Sequence, residues 1–286
     1  MIKHLIKKYF KYFWVKDKLS PQVQIQQVQL LQHYQDCYRK GIKLDINQTG
    51  FKNFSQFEED GLLLFVFSII GMNNKEFVEI GSDDGINSNS ANLYFHHGWH
   101  GLFLDANPKA IERGQYFYNK YPHPWYYQPR FECTKVYREN INELLSKNGF
   151  TGDIGLLSVD IDGNDYWIWD AITVISPEVV VMETHTEFGH HNIVVPYDKD
   201  NSLSSKHPIY HGASPIAMQK LGQKKGYKLI GANQLGFNFI FLRKDLDPDN
   251  YFPEKTIQEI LTHKSLEAAF AKFEPIKDWV YETPIK

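Results

Sequence analysis

Four apolar runs in this chain end in the same way, on a carboxylate or on a carboxylate and a glycine. They are Phe77–Gly81 (FVEIG), Gly101–Asp105 (GLFLD), Leu156–Asp160 (LLSVD) and Val179–Glu183 (VVVME). Runs of this length and composition, separated by segments of helical period, are the signature of buried parallel strands with helices on both faces. In such a sheet, ligands bind outside the carboxyl ends of the strands, where these acids stand.

The alternation extends from about residue 50 to residue 243. Strands are expected at Lys75–Ile80, Gly101–Asp105, Trp125–Cys133, Ile154–Ile161, Glu178–Glu183, Tyr227–Ala232 and Phe237–Arg243. Helices are expected at Ser55–Ile70, Asn87–His96, Pro108–Tyr121, Val136–Asn148, Tyr166–Ile172 and Pro215–Lys225. The last two strands are joined by the short turn Asn233–Gly236, so they should be antiparallel. The expected architecture is a Rossmann-like α/β sheet of seven strands, mostly parallel with the last antiparallel, and helices on both faces.

Three regions follow: a helical extension at 1–45, the α/β domain at 46–245 and a helical tail at 246–286 with one helix at Pro253–Phe273. In residues 1–19, Ile2, Leu5, Ile6, Tyr9, Phe10 and Phe13 share one helical face and Lys3, Lys7, Lys8 and Lys11 the other. That pattern suits an anionic membrane surface, or docking on the protein's own domain or a partner subunit. Ser20-Pro21 opens a second, glutamine-rich helix running to Gly41, a candidate dimer contact that would make the chain a homo-oligomer.

Composition removes several classes of function. A net charge of -3 argues against general nucleic-acid binding. Two cysteines, Cys37 and Cys133, do not make a disulfide framework and fit a reducing compartment. No apolar run approaches the roughly 20 residues of a membrane span, and no cleavage site follows the basic N-terminus. The expected location is cytoplasmic, with the basic helix at the inner face of the membrane.

The turn after the first strand, GSDDGINS, has two of the three glycines of the dinucleotide fingerprint, with Ser88 where the third belongs. A pyrophosphate would be repelled by Asp83 and Asp84. A cationic cofactor would be attracted, and S-adenosylmethionine carries both a sulfonium and an ammonium group. Asp105, 24 residues beyond Gly81, is placed to accept the ribose hydroxyls. Glu132 and Cys133 are candidate neighbours of the adenine. The cofactor set is therefore Glu79, Gly81, Ser82, Asp83, Gly85, Asn89, Asp105, Ala106 and Asp160.

The segment LLSVDIDGNDYWIWD brings Asp160, Asp162 and Asp165 to the end of the fourth strand, and Glu183 and His185 follow at the end of the fifth. Asp165 is assigned mainly to capping the next helix. Asp162, Glu183 and His185 are the catalytic candidates. They permit general-base removal of a hydroxyl proton, or binding of a divalent cation such as Mg2+ or Mn2+ that orients a diol. Tyr197, Tyr210 and His211 are candidates for the substrate side, and Tyr166, Trp167, Tyr197 and Tyr210 for stacking on a sugar.

In order and spacing these motifs resemble the FkbM-type methyltransferases, a branch of the class I S-adenosylmethionine-dependent enzymes. The resemblance is carried by Glu79-Ile80-Gly81, by Val159–Asp165 (VDIDGND) and by Glu183-Thr184-His185. A subgroup is closer still, through Ser55-Gln56 with Glu59-Asp60-Gly61, Pro196–Asp198, Gly212–Ser214 and Lys224–Tyr227. It covers roughly residues 50–245, and Asp162 departs from it, standing where the group usually has Glu. The resemblance implies methylation of a hydroxyl on a carbohydrate, in a surface-glycan pathway, or on another hydroxylated metabolite or an amine. A nucleotide-binding oxidoreductase on a similar sheet and a non-catalytic scaffold are the rival readings.

Overall fold

The computed structural model describes residues 15–120, 128–200 and 202–283. Most of the expected basic helix of residues 1–19 lies outside them, as do Trp125–Tyr127 of the expected third strand.

Seven strands form one sheet: β1 (Glu76–Ile80), β2 (His100–Asp105), β3 (Arg130–Cys133), β4 (Gly152–Val159), β5 (Ile175–Glu183), β6 (Tyr227–Ala232) and β7 (Asn238–Arg243). Their order is β3-β2-β1-β4-β5-β7-β6. All neighbouring pairs from β3 to β5 are parallel, and β7 runs antiparallel to both β5 and β6. The expected fold class is thus the observed one.

The strands alternate their side chains between two cores. Val78, Ile80, Leu102, Leu104, Leu157, Val159, Val180 and Met182 point to one face, and Phe77, Phe103, Leu156, Val179 and Val181 to the other. The period of two leaves no polar face, so both sides need helices. The first face is covered by α5 (Ile141–Lys147), α6 (Asp165–Ala171) and α7 (Pro215–Lys224). The second is covered by α2 (Glu59–Ile70), α3 (Ala91–His97) and α4 (Pro108–Lys120), with α1 (Pro21–Arg39) packed on α2.

Several helices start later than their hydrophobic period predicts. The period of α2 begins at Ser55, yet the helix begins at Glu59, because Asp60 Oδ2 accepts the backbone N–H groups of Asn53, Phe54 and Ser55 at 2.5–2.8 Å. α3 begins at Ala91 and not Asn87, because the Glu79 carboxylate accepts from Ser88 Oγ and from the N–H groups of Asn89 and Ser90. A side chain that satisfies backbone donors offers the chain an alternative to the helix.

α1 starts at Pro21, with Ser20 capping Val23 N–H. Its Gln27 is buried and exchanges two hydrogen bonds with Asn92, its Oε1 also meeting His97 Nε2 at 2.8 Å. At least this glutamine therefore fastens the extension to the domain. Ile25 and Val28 stay exposed.

The expected single helix Pro253–Phe273 is two short ones, α8 (Ile257–Ile260) and α9 (Leu266–Ala271). Ile257 belongs to the first core, whereas Phe273 packs with Phe188, Val195, Ile209, Tyr210 and Ile276 in a third cluster. Between the helices, His263 Nδ1 bonds Ser265 and takes the chain out of helical register. No described helix is long and apolar enough to cross a membrane.

Candidate active site

The carboxyl ends of β1, β2, β4 and β5 surround a cavity of about 750 Å³, within the range of roughly 300–1,000 Å³ usual for small-molecule sites. At the tip of β1, Gly81 has φ +81° and a β-carbon there would overlap the Asp160 carbonyl oxygen. Its N–H donates to Leu104 O at 2.8 Å, which ties the β1 tip to β2.

Asp105, at the tip of β2, is held from two sides. Asp83 N–H donates to its Oδ2 at 2.8 Å and Asn107 N–H to its Oδ1 at 2.7 Å. A carboxylate has about four acceptor positions, so both oxygens keep capacity for a pair of ribose hydroxyls. Ser82 also lines the cavity, and its buried Oγ has no partner among the described residues. Ala106 completes this wall.

The rest of the expected cofactor set is placed differently. Asp83 lines the cavity, but Arg113 holds both Asp83, at 3.0 Å, and Asp84, at 3.1 Å. The charge of the acidic turn that read as an attraction for a cation is therefore partly offset by a residue of α4. Glu79, Gly85 and Asn89 do not line the cavity. Glu79 is buried under the β1–α3 loop, where burial raises its pKa and the hydrogen bonds from Ser90, Ser88 and Asn89 oppose that rise. Gly85 O accepts from Tyr118 Oη, and Asn89 Nδ2 donates to Ser158 Oγ. All three build the loop beneath the site.

Asp160 follows β4, its N–H bonded to Ile80 O. Asp165 then accepts from Ile161 N–H at 2.8 Å and Gly163 N–H at 3.0 Å. It is structural, as expected, though it grips the loop before α6 and not the helix itself. This grip folds the loop back, with Asp162 at φ +54°. Asp160, Asp162 and Glu183 consequently each present a carboxylate oxygen within 4.8 Å of the others.

Three acids so close cannot all ionise cheaply. Burial, followed by the charges of Asp165 and Asp162, raises Asp160 to about 7. Burial, followed by the charges of Asp160, Asp165 and Asp162, raises Glu183 to about 10. Burial and like charge thus raise both carboxyls, which a hydrogen bond joins, while Glu183 Oε2 has no partner among the described residues.

His185 lines the cavity but stands outside this trio, and Asp160 takes the place expected for it as a metal ligand. Its N–H is anchored to Ala213 O, and its ring lies edge-on to His211 at 4.1 Å. Burial and His211 lower its pKa to about 3, so the imidazole is neutral.

Tyr197, Tyr210 and His211 do not line the cavity. Tyr197 Oη donates to Glu139 under the Arg138 guanidinium. Tyr210 is buried in the third cluster and bonds Val280 O. His211 bonds Pro208 O and backs His185. Tyr166 is buried in the first core, and Trp167 Nε1 donates to Val195 O. Glu132 and Cys133 give way to Thr134, Lys135 and Val136, just beyond the strand. Gln56, Asn87, Asn164 and Phe237 also line the cavity without having been singled out as ligand contacts. The strand-end rule, extended by one to three residues, would have found Thr134–Val136. Gln56 was in view only as part of a motif.

No family model and no curated protein sequence matches the chain. Solved structures do. A SAM-dependent methyltransferase from Methanosarcina mazei aligns with 62% of this chain and 96% of its own, at 12% identity and a TM-score of 0.40. An O-methyltransferase family protein from Burkholderia thailandensis aligns with 64% of this chain and 57% of its own, at 10% identity and a TM-score of 0.37. TnmH aligns over 60% of this chain at 11% identity and a TM-score of 0.37, and the match spans about half of its length, 51%.

Proposed function

We propose that the chain is an S-adenosylmethionine-dependent O-methyltransferase whose acceptor is a sugar hydroxyl of a cell-surface glycan or its precursor. The observation that carries this reading is the division of one cavity. A doubly anchored Asp105 with spare acceptor capacity stands on one side, and the Asp160–Asp162–Glu183 trio, half-buried with Asp162 exposed, on the other. The first fits the ribose of an adenosine. The second fits a cationic sulfonium next to a hydroxyl that must lose its proton. FkbM-like motifs at the same strand ends supply the carbohydrate part of the proposal.

In the reaction the acceptor oxygen attacks the methyl carbon in line with the carbon–sulfur bond. The C–O bond forms as the C–S bond breaks, the sulfur keeps the electron pair, and the hydroxyl proton passes to the protein. Glu183, hydrogen-bonded to Asp160, orients its neighbours. Asp162, the exposed member of the trio, is the base assigned to the acceptor proton. Neutral His185 closes the wall beside it. Holding both reactants in line supplies much of the acceleration.

The same three carboxylates are the set that would hold a divalent cation such as Mg2+ or Mn2+, since hard cations prefer carboxylate oxygens. Such an ion would acidify the acceptor hydroxyl and orient a diol. Attachment of residues 1–19 to the inner face of an anionic membrane belongs to this proposal, because lipid-linked glycan precursors are presented there.

The test is mass spectrometry of candidate glycans after incubation with enzyme and S-adenosylmethionine, with and without a chelator. A gain of one methyl group on a sugar oxygen is expected, and its loss with chelator would assign the ion. Methylation of nitrogen, or of non-sugar acceptors alone, would overturn the carbohydrate assignment.

A further inference from the structure

We infer that Gln56 recognises the α-carboxylate of the cofactor's amino-acid arm, an assignment that rests on the S-adenosylmethionine reading above. With the ribose at Asp105, an amino-acid arm reaching towards the Asp160–Asp162–Glu183 trio would cross the cavity past the tips of β1 and β4, all of which line it. Its sulfonium and ammonium groups are drawn to the acids at the ends of β4 and β5. Its carboxylate is repelled by the same acids and needs an uncharged or cationic donor on another wall.

Gln56 meets that need. It lines the cavity from the loop before α2, its side-chain amide is exposed, and no described residue bonds that amide. Lys52 Nζ lies 2.5 Å from the Gln56 carbonyl oxygen and brings a positive charge to the same loop.

The loop around it is unusually determined. Asp60 gathers three backbone N–H groups ahead of Gln56, and Ser55 Oγ receives Asp60 N–H at 3.2 Å. Glu59 Oε2 takes Phe57 N–H at 3.0 Å, while Glu59 Oε1 is held by Asn233 and Asn238 at the β6–β7 turn. Two buried acids and two asparagines thus fix the backbone on both sides of one free amide. A side chain used only for solvation does not need such a frame, whereas a ligand contact gains from it because less freedom is lost on binding.

The experiment is calorimetric titration of the full chain with S-adenosylhomocysteine and with 5′-methylthioadenosine, which keeps the adenosine but lacks the amino-acid arm. Gln56→Ala is expected to weaken S-adenosylhomocysteine about tenfold, the scale of one hydrogen bond to a charged group. Gln56→Glu should weaken it further by like-charge repulsion, and 5′-methylthioadenosine should bind all three proteins equally. Unchanged S-adenosylhomocysteine affinity in Gln56→Ala, or equal weakening of both ligands, overturns the assignment. If the wild-type chain binds neither ligand, the cofactor reading itself fails, and the Gln56 assignment with it.

Discussion

The α-carbon of Gly81 lies against the carbonyl oxygen of Asp160, leaving no room for a β-carbon between the tips of β1 and β4. The same glycine sits at φ +81°, where side chains are strained. Gly81→Ala should therefore push apart the two strand ends that frame the cavity. The expected outcome is loss of S-adenosylhomocysteine binding by calorimetry, with a stability cost of about 1–3 kcal/mol in denaturant melts. Wild-type affinity in this variant would show that the contact does not shape the site.

Asp162 is the member of the trio most open to an acceptor. Asp162→Asn keeps its size and removes its basicity. Turnover should fall by about 10²–10⁴-fold, while S-adenosylhomocysteine affinity stays close to wild type. Loss of binding would reassign Asp162 to the cofactor, and retained turnover would remove it from the chemistry.

The pH dependence follows from Asp160, which ionises near 7 against an ordinary value of 3.8. Between those two values the folded chain keeps a proton that the unfolded chain has lost, so this group makes stability fall as pH rises through that window. Asp160→Asn should flatten the fall, gaining more stability relative to wild type at pH 8 than at pH 4. A cationic ligand must displace the same proton. S-adenosylmethionine affinity should therefore rise with pH, by up to about tenfold per unit below 7, and level off above it. S-adenosylhomocysteine, without the sulfonium charge, should respond less. Identical pH profiles for the two ligands would place the sulfonium away from Asp160.

Arg113 holds Asp84, whose side chain is 1% exposed, and Asp83, which is 59% exposed. The second pair contributes little. Arg113→Ala should cost about 2–3 kcal/mol, below the figure for a fully buried pair, because Arg113 keeps 31% of its side chain in solvent. Thermal melts should show a drop of roughly 4–10 °C. Asp84→Asn in the Arg113→Ala background should recover part of it, since the stranded charge is then gone.

The sheet was legible because most strands announce themselves locally as apolar runs, four of them with an acid or a glycine at the end. Asp105, Asp160, Asp162 and Glu183 come into view as candidates for the same reason, since the end of a buried parallel strand is where this architecture binds ligands. The partner of Asp83 and Asp84, Arg113, was not legible, because it lies some thirty residues further on and no local rule pairs them. Tyr210 was a candidate to stack on a sugar, but residues of the tail bury it. His185 stands outside the trio and Asp160 inside it because the Asp165 grip on the loop decides which carboxylates converge, and that grip is a matter of backbone geometry. Gln56 lay inside a motif whose acids turn inward, and only the fold shows that the residue ahead of them faces the cavity.

β7 lies between β5 and β6, although it is the last of the three in the chain. During synthesis β5 therefore completes one edge of the growing sheet and waits there, with Val179, Val180 and Val181 lacking their partners Leu242, Phe241 and Ile240. Until the hairpin has emerged and inserted, that edge is an unpaired apolar strand, the kind that pairs with other chains. Truncation shortly before residue 238 should thus yield aggregation in place of a smaller soluble domain, and the nascent chain is most in need of a chaperone over this same interval.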